Sequence, residues 1–269
     1  MIGMFDSGFG GLTVLKACRK LLPQYDYFYL GDNLRVPYGS RSPATIKKFS
    51  EQALEFFFAK KIPLTIFACN TASSVALPDL QEKYLRQPGI TDRKVLGVII
   101  PVVQKAVQMT KNKRIAVVGT RATVASKSYE KEIHKLDPEV RVFSQAAPLL
   151  VPLIEEGWHH KPEARSILKK YLAPTKDFAP DTLILGCTHY PLMHDVFQDI
   201  MGKRIHVADS SQAVAESLAD YLKRHPEIES QLSREGGLTL ACTDSPERFA
   251  EFAEKFLKGE KVNVQQVAL

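Results

Sequence analysis

No run of about eighteen apolar residues occurs in the sequence, so a membrane-spanning helix is not expected. The start, Met1-Ile2-Gly3-Met4-Phe5-Asp6, lacks a basic segment leading into an apolar run. It does not read as a secretion signal, and the expected compartment is the cytoplasm. Cysteine is scarce and scattered: Cys18, Cys69, Cys187 and Cys242, with no Cys-x-x-Cys pair. A disulfide-stapled scaffold would need denser cysteines. A zinc site would need clustered ligands, and Cys187 with His189 is only a half-pair; the adjacent His159 and His160 cannot chelate alone. No metal is therefore expected. Gly-x-Gly-x-x-Gly and the P-loop lysine are also missing, which argues against a nucleotide site. Lys and Arg exceed Asp and Glu by 36 to 30, a net charge of +6. They are spread along the chain with no basic arm. This reads as a solvated surface and not as a nucleic-acid face. A small anionic substrate suits the same balance.

What is present is alternation. At 269 residues the chain can bury one large core or two small ones. Strand-like apolar runs fall at Ile2–Phe5, Tyr27–Leu30, Leu64–Ala68, Val95–Ile100, Arg114–Val118, Val140–Ser144, Thr182–Leu185, Arg204–Ala208 and Leu238–Ala241. Amphipathic stretches separate most of them. Ser42 and Pro43 start one helix, with Ile46, Phe49, Ala53 and Phe56 at helical spacing. Another covers Pro246–Leu257. Such alternation predicts an α/β fold of parallel sheets covered on both faces. A weak internal echo divides the chain. Asp6 and Cys69 lie 63 residues apart, Thr120 and Cys187 lie 67 apart, and each residue ends an apolar strand. The expectation is two pseudo-symmetric, doubly wound lobes with the active site in the cleft between them. Residues 1–95 with 210–269 would form the first lobe, carrying Cys69. Residues 96–209 would form the second, carrying Cys187.

Ligands of open parallel sheets bind beyond the carboxyl ends of the strands, and the unusual residues gather there. Cys69-Asn70-Thr71 follows one strand and Cys187-Thr188-His189 another. Amides at a helix start favour a thiolate, which should lower the Cys69 thiol from its ordinary pKa of about 8.5. Taken singly, each cysteine reads equally as a small buried residue, and His189 as a loop histidine. The matched pair singles out a chemistry. Inverting a carbon centre needs a base on one face and an acid on the other, and two opposed thiols can exchange those roles.

Other segments leave alternatives open. Phe5-Asp6-Ser7-Gly8-Phe9-Gly10-Gly11 is a tight turn in which Ser7 could bind a carboxylate. Asp6 could meet an ammonium, assist a thiol or serve as a cap. The Gly31–Gly39 loop, with Asp32, Pro37 and Tyr38, could close over a ligand or merely connect. Glu155 and Glu156 could be a solvated helix end. Cys242 also ends a strand, but it lacks a counterpart in the two-lobe scheme and reads as structural. Cys18 reads as packing.

Four motifs carry a resemblance. Asp6-Ser7-Gly8 with Gly10-Gly11-Leu12-Thr13-Val14, Pro37-Tyr38-Gly39, Ala68-Cys69-Asn70-Thr71-Ala72 and Leu185-Gly186-Cys187-Thr188-His189-Tyr190-Pro191 resemble glutamate racemase. They stand in that family's order and cover most of the chain. The resemblance implies cofactor-independent racemisation with Cys69 and Cys187 as the two bases, acting on the D and L enantiomers respectively. It implies that Asp6, Ser7, Pro37, Tyr38, Gly39, Asn70, Thr71, Thr188 and His189 surround the substrate. It further implies that Asp6, Asp32, Glu155 and His189 assist the thiols. D-glutamate supply for peptidoglycan and a homodimer belong to the same expectation. Activation by a wall precursor, which uses an N-terminal extension in some relatives, is not expected with Asp6 so near the start. The chain departs from the family pattern at Phe9, where a smaller aliphatic residue is expected, and at Cys242, where a hydroxyl residue is expected. Competing readings are a racemase for aspartate or another acidic amino acid, a thiol redox enzyme, and a non-catalytic two-lobed amino-acid binding protein.

Overall fold

The computed structural model describes residues 1–86, 92–208, 210–257 and 262–269. Ten strands occur among them: β1 (Ile2–Asp6), β2 (Tyr27–Gly31), β3 (Leu64–Phe67), β4 (Lys94–Gly97), β5 (Arg114–Gly119), β6 (Arg141–Ala146), β7 (Thr182–Gly186), β8 (His206–Ala208), β9 (Leu238–Cys242) and β10 (Val264–Gln266). They form two sheets, ordered β10-β9-β2-β1-β3-β4 and β6-β5-β7-β8. Every pairing is parallel. Strands β1, β2, β3 and β7 are buried along their whole length. That is why they read as continuous apolar runs and not as alternating ones.

The weak sequence echo becomes a shared topology. The order β2-β1-β3-β4 in one sheet is matched by β6-β5-β7-β8 in the other. In each, the chain starts inside the sheet and then winds both ways, so a switch point lies beside the starting strand. Strand β3 leads to Cys69 and β7 to Cys187, which makes the two positions topologically equivalent. Strands β9 and β10 extend only the first sheet, beyond β2. Cys242 therefore ends a strand that has no partner in the second sheet.

One continuous apolar cluster joins the two sheets. It takes Ile2 and Met4 from β1 and Ile115 and Val117 from β5, with residues of the intervening helices Leu12–Leu21, Ile99–Met109 and Ser210–Arg224. Alternate side chains of the same strands face away: Phe5 joins a second cluster, and Ala116 and Val118 a third. Two expectations need correction. The run Val95–Ile100 is not one strand: β4 stops at Gly97 and Ile99 starts a helix, whose Ile99, Val102, Val103 and Ala106 are buried at helical spacing. The edge strand β10 was not expected, because Val264-Gln265-Gln266 offers a single apolar residue and is partly exposed. Elsewhere local signals hold. Ser42 caps the helix Pro43–Ala59, its hydroxyl accepting from the Thr45 N–H at 3.3 Å.

Helix Pro246–Phe256 closes over the end of β2 through Phe249. That ring is fully buried, with Phe9 at 5.1 Å and Tyr29 at 6.0 Å between centroids. Removing it leaves a large void. Phe249→Ala should cost about 3–5 kcal/mol in urea unfolding; a loss under about 1 kcal/mol would contradict this account of the packing.

Candidate active site

Between the strand ends of the two sheets lies a cavity of about 50 Å³. The first sheet supplies Ser7 after β1, Pro37, Tyr38 and Gly39 after β2, and Cys69, Asn70 and Thr71 after β3. The second supplies Cys187, Thr188 and His189 after β7. Glycine lets the two walls meet. A Cβ on Gly10 would lie 2.4 Å from Thr188 Oγ1, and one on Gly39 would lie 2.5 Å from Thr120 Cβ. Any side chain at either place would prise the walls apart.

Sequence reasoning missed Val36, Ser40, Thr120, Arg121, Pro148 and Val151, which also line the cavity. Thr120 could have been found from the echo, since it follows β5 as Ser7 follows β1. Pro148 and Val151 follow β6, the counterpart of the loop after β2. A larger groove of about 840 Å³ runs alongside and shares Gly39, Ser40 and Arg121 with the cavity. Neither cysteine reaches it.

Cys69 is the cap residue of the short helix Asn70–Val75. Its extended backbone lets Sγ accept from the Ala72 N–H at 3.4 Å. Its thiol donates to Ser7 Oγ, also at 3.4 Å. The helix start was expected to lower this thiol, and that expectation fails. Burial and the Asp6 charge push it up to about 12, and the Ser7 and Ala72 contacts recover only part. Cys187 meets different company. Sγ lies 3.8 Å from His189 Nδ1, and His189 Nε2 lies 3.0 Å from Glu155 Oε1. Burial drives the imidazole down, but its bonds to Cys187 and Glu155 win and hold it at about 10. Tyr190, fully buried, fixes this loop by donating to Ala147 O at 2.9 Å and Gly119 O at 3.3 Å.

Asp6, Asp32 and Glu155 do not line the cavity; each backs a residue that does. Asp6 is fully buried and accepts from the Gly8 N–H at 2.9 Å and the Thr188 hydroxyl at 3.2 Å. Burial raises its carboxyl above the usual range, against the pull of His189. Asp32 accepts from the Tyr38 hydroxyl, from Arg35 Nε at 2.6 Å and from the Thr243 hydroxyl at 2.9 Å. It anchors the Tyr38 loop, whose Val36–Pro37 bond is cis. Glu155 holds His189, whereas Glu156 is exposed and pairs loosely with Arg248 at 3.7 Å.

The two departures from the expected pattern lie outside the wall. Phe9 stacks on Phe252 at 4.4 Å. Cys242 is buried in the apolar cluster that joins the sheets. Among the described residues, no group of three or more His, Cys, Asp and Glu is placed to hold a metal ion, and no helix is long and apolar enough to cross a membrane.

The raised His189 imidazole carries a pH signature. A group raised from 6.5 to about 10 on folding contributes stability that is complete below about pH 6.5 and is lost as pH rises through 10. Unfolding free energy measured in urea should therefore fall across that window, and His189→Gln should flatten the fall. Identical slopes for the two proteins would refute the assignment.

Comparison with known proteins shows the family and the fold. The family described as Asp/Glu/Hydantoin racemase matches residues 12–218. A glutamate racemase of Geobacter metallireducens is 41% identical over 268 residues, covering 100% of this chain and 96% of the relative. The crystal structure of a glutamate racemase isoform from Bacillus anthracis superposes with a TM-score of 0.90 at 35% identity, covering 100% of this chain and 97% of the other. A glutamate racemase from Francisella tularensis, solved in complex with D-glutamate, gives 0.88 at 32% identity, covering 99% and 97%. The chain belongs to the Asp/Glu/Hydantoin racemase family, on its glutamate racemase branch.

Proposed function

We propose that the chain interconverts L- and D-glutamate with two opposed thiols, Cys69 and Cys187, and no added cofactor. The observation that carries this reading is the presence of two cysteines, from equivalent strand ends, in the wall of one cavity. Inversion at Cα needs a proton removed from one face and another delivered to the opposite face. One cysteine, as thiolate, takes the α-proton and becomes a thiol. The electron pair left on carbon takes the proton of the second thiol, which becomes a thiolate. Nothing is oxidised or reduced. Each turnover exchanges the protonation states of the two sulfurs, and the reverse direction exchanges them back. Cys69 is the base for D-glutamate and Cys187 for L-glutamate.

The surrounding groups divide the remaining work. The His189 N–H meets negative charge on Cys187, and the Ala72 N–H meets it on Cys69. Ser7, Asn70, Thr71 and Thr188 offer hydrogen bonds to the carboxylates, while Asp6 holds Thr188 from behind the wall. Pro37, Tyr38 and Gly39 form the wall that excludes water, which strengthens each of these interactions. Glutamate as the substrate is supported by the full-length relatives carrying that name. The reading places the protein in the cytoplasm, as a homodimer with lobes at 1–95 plus 210–269 and at 96–209. Its D-glutamate would enter peptidoglycan.

Chelator-treated protein free of pyridoxal phosphate, incubated with glutamate in heavy water, should place deuterium at Cα. Exchange that appears only when pyridoxal phosphate or a metal is restored would sink the mechanism. Cys69→Ala and Cys187→Ala should each lower racemisation at least about a hundredfold. Cys242→Ser should stay close to wild type, and its inactivation would mean that the wrong thiols have been paired. Faster turnover of aspartate than of glutamate would overturn the substrate, and a single-chain mass in sedimentation would overturn the dimer.

A further inference from the structure

Tyr129 stands near the start of the helix Ser128–Leu136, which follows β5, and is buried to 2% exposure. Its hydroxyl donates across the seam to Asn70 Oδ1 at 2.5 Å. Asn70 is the neighbour of Cys69 and lines the cavity. The same ring lies against the other cysteine loop: a Cβ built on Gly186, the residue before Cys187, would be 3.3 Å from Tyr129 Cε2. One side chain thus spans the approach to both sulfurs without itself lining the cavity. Adjacent bonds hold it there. Ser128 Oγ donates to Ser74 O at 2.7 Å, and Thr71 Oγ1 lies 3.0 Å from Thr120 Oγ1. Lys127, at φ 55°, turns the chain just before this pair.

The bond to Asn70 has a chemical consequence. An asparagine amide has an accepting end and a donating end of nearly equal shape, and its hydrogen bonds decide which way each faces. Among the described residues the Tyr129 hydroxyl proton has no acceptor other than Asn70 Oδ1, and Asn70 Nδ2 makes no hydrogen bond. Burial, with a contribution from Cys187, raises the phenol above its ordinary value, so it remains a donor throughout the working pH range. With Oδ1 taken, Nδ2 is the end left for a ligand. A carboxylate is attracted by that end and repelled by the other.

We infer that Tyr129 is a positioning residue for substrate. It locks the Asn70 amide with its N–H groups free for a carboxylate and ties that donor to the Cys187 loop. The inference rests on the proposed racemase reading, in which Asn70 meets a carboxylate of glutamate.

The test is a double-mutant cycle. Tyr129→Phe keeps the ring against Gly186 and removes only the hydroxyl. It should raise the KM for glutamate about three- to tenfold, with kcat and melting temperature close to wild type. In an Asn70→Ala background the same change should add nothing, because the tyrosine acts through that amide. A fall in kcat at unchanged KM, or effects of the two substitutions that multiply, would overturn the inference. Should Tyr129→Phe fail to fold, Asn70→Asp against Asn70→Ala decides. With one oxygen held by Tyr129, the other would face the carboxylate, so Asp should raise KM well beyond Ala; equal rises would overturn the role. Calorimetric binding of D-glutamate reads the same cycle without turnover. Weaker binding by the variants in the expected pattern, alongside a wild type that does not racemise, would refute the function and retain the positioning role.

Discussion

A parallel sheet gathers all its strand carboxyl ends, and the helix starts that follow them, along one edge. Everything else in this molecule follows from two such edges being turned toward the same small space. Residues far apart in sequence become neighbours there, and both cysteines arrive on short turns that follow interior strands. The apolar cluster between the sheets keeps the edges facing, because Ile2, Met4, Ile115 and Val117 are buried against the same helices. The polar wall is thereby tied to a core that reaches it through Tyr129, whose hydroxyl holds Asn70.

The halves match in topology and differ in charge. Cys69 sits with a serine hydroxyl, a backbone amide and the nearby carboxylate of Asp6. Cys187 sits with an imidazolium whose far side is held by Glu155. Burial and the Asp6 charge favour the neutral thiol at the first position, while the bonds of His189 to Cys187 and Glu155 favour the protonated imidazole at the second. The supporting carboxylates stand one layer behind the wall.

Much of this was legible in the sequence, for identifiable reasons. Strands buried on both faces announce themselves as apolar runs, and Cys69 and Cys187 stand where two such runs end. Ser42 and Pro43 mark a helix start on local chemistry alone. The failures are equally physical. Val264–Gln266 lies at an edge and needs little apolar content. Val95–Ile100 is apolar throughout, so its change from strand to helix leaves no mark in composition. The effect of burial on the Cys69 thiol depends on how much protein surrounds it, which no local motif encodes. The partners of the supporting acids are likewise distant, as with Thr243 on Asp32, 211 residues away. Cys242 was separable from the other two only because strand order, and not strand character, distinguishes them.

The shared strand order has a consequence for handedness. A site assembled from two similar halves meets a ligand from opposite directions with nearly the same architecture. Mirror-image ligands ask for that arrangement, since what one half offers to one enantiomer the other half offers to its reflection. The equilibrium between enantiomers in free solution is even, so kcat/KM must be equal in the two directions whatever the halves look like. Differences between the halves can therefore appear only in how tightly each enantiomer is held and how fast it departs. Ser7 opposite Thr120 keeps a hydroxyl at one equivalent place, while Asn70 opposite Thr188 breaks the likeness at the other.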